Sequence, residues 1–124
     1  MRPFREGGDL LAEYADVKIE WVAADKGGRQ LPVVLQTHEG RGYRPHFRVG
    51  TSGEYLGVQF TSGDPPTGQP GCEGLATVEL LYAPLGVDYS LLIPGARFDV
   101  VEGRRVVAYG EIIRRYRSER AISI

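Results

Sequence analysis

The sequence predicts an all-β protein of about six antiparallel strands, arranged as a barrel or as a sandwich. Its 17 glycines and 8 prolines are spread between short apolar runs, a pattern typical of strands joined by turns and not of a disordered tract. Several of the runs alternate apolar and polar residues, as a half-buried strand does. A length of 124 residues suits one domain.

The clearest single element is a hairpin within residues 94–113. Two runs rich in β-branched and aromatic residues, 97–101 and 104–114, flank Glu102 and Gly103. Glycine adopts a positive φ without steric cost, so a tight turn fits at Gly103. We therefore expect these two runs to form the closing strands of the sheet.

Four further strands are predicted before the hairpin. In the first, Val17, Ile19 and Trp21 alternate with charged residues, which places them on one face. Pro45 in the second strand suggests an edge or a bulge, because proline donates no backbone hydrogen bond. The four predicted strands span residues 16–23, 43–49, 54–60 and 75–82.

The other segments are predicted to be an arm, loops and a tail. Residues 9–15 have the composition for about two helical turns with Asp9 as N-cap, which makes the N-terminal arm short and irregular or helical. Residues 61–73 are so rich in glycine and proline that we expect a long loop there. The predicted organisation is an arm over 1–15, a β domain over 16–115 and a tail over 116–124.

The alternation also predicts the core. Five large apolar residues fall on the inward positions of the predicted strands, and we expect all of them to be largely buried: Trp21, Phe47, Val58, Phe98 and Val100.

Composition narrows the classes of partner. The net charge of −1 provides no overall field for nucleic acid or anionic lipid. Cys72 is the only cysteine, which indicates a reducing compartment. No apolar run approaches the roughly 20 residues that span a bilayer, and the N-terminus lacks an apolar signal core. We expect a cytoplasmic protein without membrane contact.

Three blocks of sequence, in the right order, resemble a known module. Residues 25–32 read DKGGRQLP, residues 42–47 read GYRPHF, and residues 94–113 form the predicted hairpin. Together they are similar to the third domain of elongation factor Tu, the C-terminal barrel of a translational GTPase. The resemblance covers residues 16–115 and implies a six-stranded antiparallel β-barrel.

In that family the barrel is not catalytic. It packs on a second barrel and on the GTPase domain, binds the exchange factor and helps to hold the T-stem of aminoacyl-tRNA. The resemblance places the tRNA-facing positions at Arg29, Gln30, His46, Glu102 and Gly103.

This chain departs from the family pattern at several of those positions. Gln30 replaces a histidine, His46 a glutamine and Arg104 a glycine, and Val101 stands where the family has an arginine. The loss at Val101 removes a cation from the implied phosphate track. The chain also contains no Gly-x-x-x-x-Gly-Lys-Ser/Thr phosphate loop, so we expect no nucleotide binding.

The residues themselves suggest a basic stripe. Alternation sends Arg44, His46 and Arg48 to one side of the strand over 43–49, near Arg29. This stripe is either a binding surface or the solvated face of a strand. The candidate surface for a partner or for RNA comprises Arg29, Gln30, Arg44, His46, Arg48, Glu102, Gly103 and Arg104.

A second basic cluster lies at residues 114–120. Tyr116 among its arginines has the chemistry to stack on a base while guanidinium groups contact phosphates. The competing interpretation is a solvated strand end with a frayed tail.

No pattern supports catalysis, a metal or a cofactor. Ser52, His46 and Asp64 provide the residue types of a triad, but a triad is defined by geometry, and the histidines and Cys72 form no ligand motif. We therefore expect a non-enzymatic binding module that engages a protein partner or a second copy of itself. The alternative is an RNA- or tRNA-binding accessory domain, and an enzyme with a small pocket comes third.

Overall fold

The structure, a computed structural model, describes residues 11–36, 41–50 and 53–119. In this part of the chain eight strands and two short 3-10 turns occur, and the 3-10 turns lie at Ala24–Lys26 and Ala83–Leu85. The strands are β1 (Leu11–Trp21), β2 (Val33–Val34), β3 (His46–Arg48), β4 (Leu56–Asp64), β5 (Thr67–Gly68), β6 (Glu73–Leu80), β7 (Arg97–Glu102) and β8 (Arg105–Glu119).

Six of the strands form one antiparallel sheet. Its order is β1–β6–β4–β3–β7–β8, and it closes on itself because β8 also pairs with β1. The short strands β2 and β5 form a separate antiparallel pair. The all-β class and the six antiparallel strands are therefore confirmed.

The core fills the inside of this closed sheet. Phe47 and Phe98 stack with ring centroids 3.9 Å apart, and Phe60 meets Phe47 edge-on. Each of the five residues predicted to be buried is at most 5% exposed. Burial alternates along β3 and the second half of β1, as the sequence predicted, whereas the first five residues of β4 are all buried.

The closing hairpin is confirmed in position. β7 and β8 pair directly, with Glu102 opposite Arg105. Gly103 adopts a φ of 60° in the turn between them, the left-handed conformation that glycine reaches without steric cost.

The helical arm predicted over 9–15 is wrong where the structure describes it. Residues 11–15 are extended and begin β1, paired with the last residues of β8 from Leu11↔Glu119 onward. Seven residues barely nucleate a helix, whereas pairing with β8 satisfies the backbone and buries Ala12 and Tyr14. Asp9, the predicted cap, lies outside the described residues.

The long loop predicted over 61–73 is also wrong in part. β4 continues to Asp64 and β5 occupies Thr67–Gly68. A register shift after Phe60 lets Ser62, Gly63 and Asp64 resume pairing with β6. A bulge tolerates residues that a regular strand disfavours, so local composition underestimated the length of β4.

Proline shortens β3. Only His46–Arg48 form the strand, although the carbonyl oxygens of Tyr43 and Pro45 still accept hydrogen bonds from Phe60 and Val58. Pro45 has no N–H with which to complete that ladder.

Candidate functional site

The first group of predicted site residues meets at one end of the hairpin. Glu102 closes β7, and one of its carboxylate oxygens accepts hydrogen bonds from both Arg29 Nη1 and Tyr43 OH. The Arg29 guanidinium lies 5.6 Å from the centre of the Tyr43 ring. Burial raises the pKa of Tyr43 well above its usual range, and the neighbouring Glu102 carboxylate raises it further. The structure therefore brings Arg29 and Glu102 together, as a neutral ion pair.

Three other predicted residues lie beside this pair. Gln30 Nε2 donates to the carbonyl oxygen of Ala24 over 3.4 Å. Gly103 and Arg104 form the exposed hairpin turn. Glu102 precedes the hairpin turn and accepts a hydrogen bond from Arg29. The hairpin turn and the segment that contains Arg29 and Gln30 therefore lie side by side.

The basic stripe is outward-facing, as its alternation predicted. Pro45 and Phe47 are buried, whereas Arg44 is exposed and His46 and Arg48 are partly exposed. Arg48 Nη2 forms an ion pair with Asp99 Oδ2 at 2.9 Å.

The stripe also has neighbours on β4 and in the segment that precedes it. Arg44 Nε donates to Gln59 Oε1 over 2.5 Å. The Tyr55 ring lies 5.8 Å from the His46 ring and 5.7 Å from the Arg48 guanidinium. Tyr55 was not among the predicted site residues. The pairing of β3 with β4, His46 opposite Gly57, is what brings it beside the stripe.

Two arginines of the C-terminal basic cluster are paired with carboxylates of β1. Arg114 Nε contacts Asp16 Oδ2 at 2.6 Å, and Arg115 Nη2 contacts Glu13 Oε1 at 2.8 Å. Tyr116 stacks on Tyr14 with ring centroids 5.7 Å apart. Arg114, Arg115 and the Tyr116 ring are thus already engaged within the protein, whereas Arg117 is exposed.

An exposed apolar segment is the feature that the predicted site did not include. We call residues 82–93 the apolar loop; the sequence indicated only a connection there with a short apolar run at 91–93. Leu85 is 79% exposed, and Leu91 and Ile93 are each 57% exposed. The large apolar side chains that the apolar loop exposes are Tyr82, Leu85, Val87, Leu91 and Ile93. The sequence signal for this exposed surface is the near absence of charged residues from the apolar loop.

Buried anchors hold the apolar loop in place. Tyr89 OH donates to the carbonyl oxygen of Gly57 over 2.6 Å and accepts from the Tyr82 N–H over 3.1 Å. Arg115 Nη1 donates to the carbonyl oxygens of Tyr89 and Leu92, and the Leu92 side chain is fully buried. The apolar loop is therefore an ordered platform whose exposed side chains project from fixed backbone.

A concave feature is lined by residues of β1, β7 and β8. It is an open groove of about 770 Å³ with charges of both signs. Glu20 and Glu73 face each other across β1 and β6 at one side of it, and Lys18 and Arg97 supply cations. The groove lining comprises Lys18, Ile19, Glu20, Gly50, Glu73, Arg97, Phe98, Asp99, Tyr109, Gly110 and Glu111.

Within ranges 11–36, 41–50 and 53–119, no three His, Cys, Asp or Glu side chains are grouped so as to hold a metal ion. The thiol of Cys72 is exposed and free. Ser52 and His38 lie outside the described residues. Over the same ranges, no helix has both the length and the apolar character needed to cross a membrane.

A scan against models of protein families finds no match to this chain. A search of curated proteins finds no match either.

Proposed function

We propose that this chain is a non-enzymatic protein-binding module, built on a β-barrel of the kind found in the third domain of elongation factor Tu. The observation that carries the proposal is the apolar loop, which holds Leu85, Leu91 and Ile93 in solvent on an ordered backbone. Contiguous exposed apolar surface on a folded domain marks sites of protein interaction.

The anchoring of the apolar loop favours binding. A side chain of this size contributes about 1.5–3 kcal/mol when it passes from water to a buried environment. Ordering a loop at an interface subtracts from that gain. The hydrogen bonds of Tyr89 and Arg115 have already ordered the backbone in the free protein, so little of the gain is lost.

The charges of the predicted basic surface argue for protein above RNA. On that surface, Arg29 and Arg48 are each paired with a carboxylate. Arg114 and Arg115 of the C-terminal basic cluster are paired in the same way. A phosphate contact at any of these would have to displace the carboxylate or add to a neutral pair. Phosphate contacts supply most of non-specific nucleic-acid affinity, so we expect RNA to bind weakly.

Support for the barrel assignment comes from order and position. The three blocks that resemble elongation factor Tu fall on the turn before β2, on β3 with the residues before it, and on the β7–β8 hairpin. In that family the barrel is covered by other domains, and a module of the same kind offers its outer surface to a partner.

Photo-crosslinking tests the proposed surface. A benzoylphenylalanine placed at Leu85 is expected to crosslink to protein in an extract of the native cell, and the same probe at the exposed Leu31 is not. Equal, sparse labelling from both positions would contradict the proposal.

Filter binding with tRNA tests the alternative. We expect dissociation constants no tighter than the micromolar, non-specific range at physiological salt. Replacing Arg44 and Arg48 with Ala is then expected to change binding little. Nanomolar affinity that both substitutions weaken, with a salt slope lower by about one per lost contact, would promote the RNA-binding function instead.

A further inference from the structure

We propose that the partner of the apolar loop is a second copy of this chain, bound about a two-fold axis through that loop. This inference rests on the proposed function, since it assigns an occupant to the same surface. It is carried by three properties of the surface: its charge, its extent and its rigidity.

The near absence of charge makes the surface compatible with a second copy of itself. Asp88 is the only ionisable acid or base with a full charge at neutral pH in residues 82–96. Two copies of the loop therefore face each other with no array of like charges, whereas a charged surface needs an opposite one. Asp88 is exposed, and hydrogen bonds from Ser90 lower its pKa. The net charge of −1 adds little repulsion between whole copies.

The extent of the surface fits a homodimer. Gly95 and Ala96, which follow the apolar loop, are hydrogen-bonded to Ile112 of β8, and the next residue of that strand, Ile113, is exposed. With Ile113, six exposed apolar side chains belong to this surface: Tyr82, Leu85, Val87, Leu91, Ile93 and Ile113. Tyr109, also exposed on β8, lines the groove instead. Homodimer interfaces are the more apolar class and bury about 800 Å² or more on each partner. These six side chains are of the apolar kind that forms the centre of such an interface.

The rigidity of the apolar loop also favours a homodimer. In a two-fold dimer the same patch is buried twice, so any cost of ordering it would also be incurred twice. Tyr89 and Leu92 are buried in the same protomer that exposes Leu91 and Ile93. The patch is therefore formed before association, and both protomers avoid that cost.

Sedimentation equilibrium tests the inference directly. The chain is measured from about 1 to about 200 µM, a range that includes weak homodimers. We expect a reversible monomer–dimer equilibrium with a midpoint inside the range. The variant Leu85→Asp/Leu91→Asp is expected to weaken dimerisation by at least about 10-fold, since it places two charges on each apolar face.

The matched control is Leu31→Asp, because Leu31 is also an exposed leucine, 71% accessible, on a different segment. It is expected to leave the midpoint unchanged. Unaltered Trp21 emission in all variants shows that they are folded, since that indole is buried.

Two results would overturn the inference. One is a chain that stays monomeric up to about 200 µM; the other is a dimer that Leu31→Asp disrupts and the double variant does not. A monomer whose position 85 still crosslinks to a different protein would overturn self-association and leave the protein-binding function standing. A dimer lost only in the double variant supports both.

Discussion

Asp16 lies where β1 contacts both of its neighbouring strands. Its carboxylate accepts hydrogen bonds from Thr77 Oγ1 at 2.8 Å on β6, and from Arg114 Nε at 2.6 Å and Tyr116 OH at 3.2 Å on β8. Burial by itself would raise the pKa of Asp16, but these three donors together lower it below its ordinary value. Asp16 on β1 therefore connects the two neighbouring strands, β6 and β8, through one carboxylate.

Replacing Asp16 with Asn should reveal that link as a pH-dependent loss of stability. A lowered folded-state pKa means that the contribution is present above the unfolded value of about 3.9 and disappears as pH falls through the folded value. We expect Asp16→Asn to cost on the order of 1–2 kcal/mol at pH 7, an amount moderated by the exposure of Arg114.

Urea denaturation at pH 7 and at about pH 3 measures the difference. The gap between the variant and the parent should narrow at the lower pH. Glu54→Gln, at an exposed position, serves as the control and should cost little at either pH. A gap that widens towards acid would contradict the assigned role.

Tyr89 is the residue on which the order of the apolar loop depends. Its hydroxyl both donates to the Gly57 carbonyl and accepts from the Tyr82 N–H. The side chain is buried, so water cannot easily replace either bond.

Tyr89→Phe should therefore destabilise the fold by about 1–3 kcal/mol, because it leaves the Tyr82 N–H without its partner and removes one of the two hydrogen bonds to the Gly57 carbonyl. The same change at Tyr109, which is 52% exposed, should stay within about 0.5 kcal/mol. Chemical denaturation of both variants checks this, and equal midpoints would show that the Tyr89 hydroxyl is not an anchor.

At the scale of elements, β8 holds the sheet together. It is the longest strand at 15 residues, and it pairs with β7 on one side and with β1 on the other. Gly110 lies in the middle of β8, opposite both Phe98 and Ile19. A side chain there would enter the space in which Phe98 stacks on Phe47.

Gly110→Ala should thus be far more costly than Gly57→Ala. A Cβ at Gly110 would lie 2.7 Å from Phe98 Cε1 and 2.8 Å from the Lys18 carbonyl oxygen, which is backbone and cannot turn away. A Cβ at Gly57 meets the ring of Tyr82, which is exposed and free to rotate. We expect about 1–3 kcal/mol for Gly110→Ala and under about 1 kcal/mol for Gly57→Ala.

Thermal unfolding of the two alanine variants compares these costs. The order of the two melting temperatures is the decisive quantity. A Gly57→Ala protein that melts below Gly110→Ala would mean that the packing around β8 adapts more than the structure indicates.

At the scale of the whole molecule, the closed sheet encloses a single indole. Trp21 is 5% exposed and packs near Tyr43 and Phe60. Its emission should be blue-shifted in the native protein and resistant to iodide or acrylamide, and unfolding in urea should shift it to the red. Free quenching in the native state would show that the sheet is open at the end where Trp21 lies.

The candidate site was predictable only in part. Alternation placed Arg44, His46 and Arg48 on the outer face, and the structure agrees. Alternation says nothing about Asp99, which neutralises Arg48 from a strand 51 residues away. The exposure of Leu85 and Leu91 was likewise hidden, because an apolar run between strands reads equally well as core.

The sequence by itself determined the period of most strands, the inward residues such as Phe47 and Val58, and the turn at Gly103. These are local properties, set by side-chain alternation and by the φ angles that each residue tolerates. The tertiary structure alone decided that residues 11–15 belong to β1 and not to a helix. It also decided that the carboxylate of Asp16 is paired with Arg114. Likewise, it decided that Leu85, Leu91 and Ile93 face solvent. The physical reason is that pairing and burial depend on residues far apart in the chain, and a local pattern carries no information about which distant strand will lie beside it.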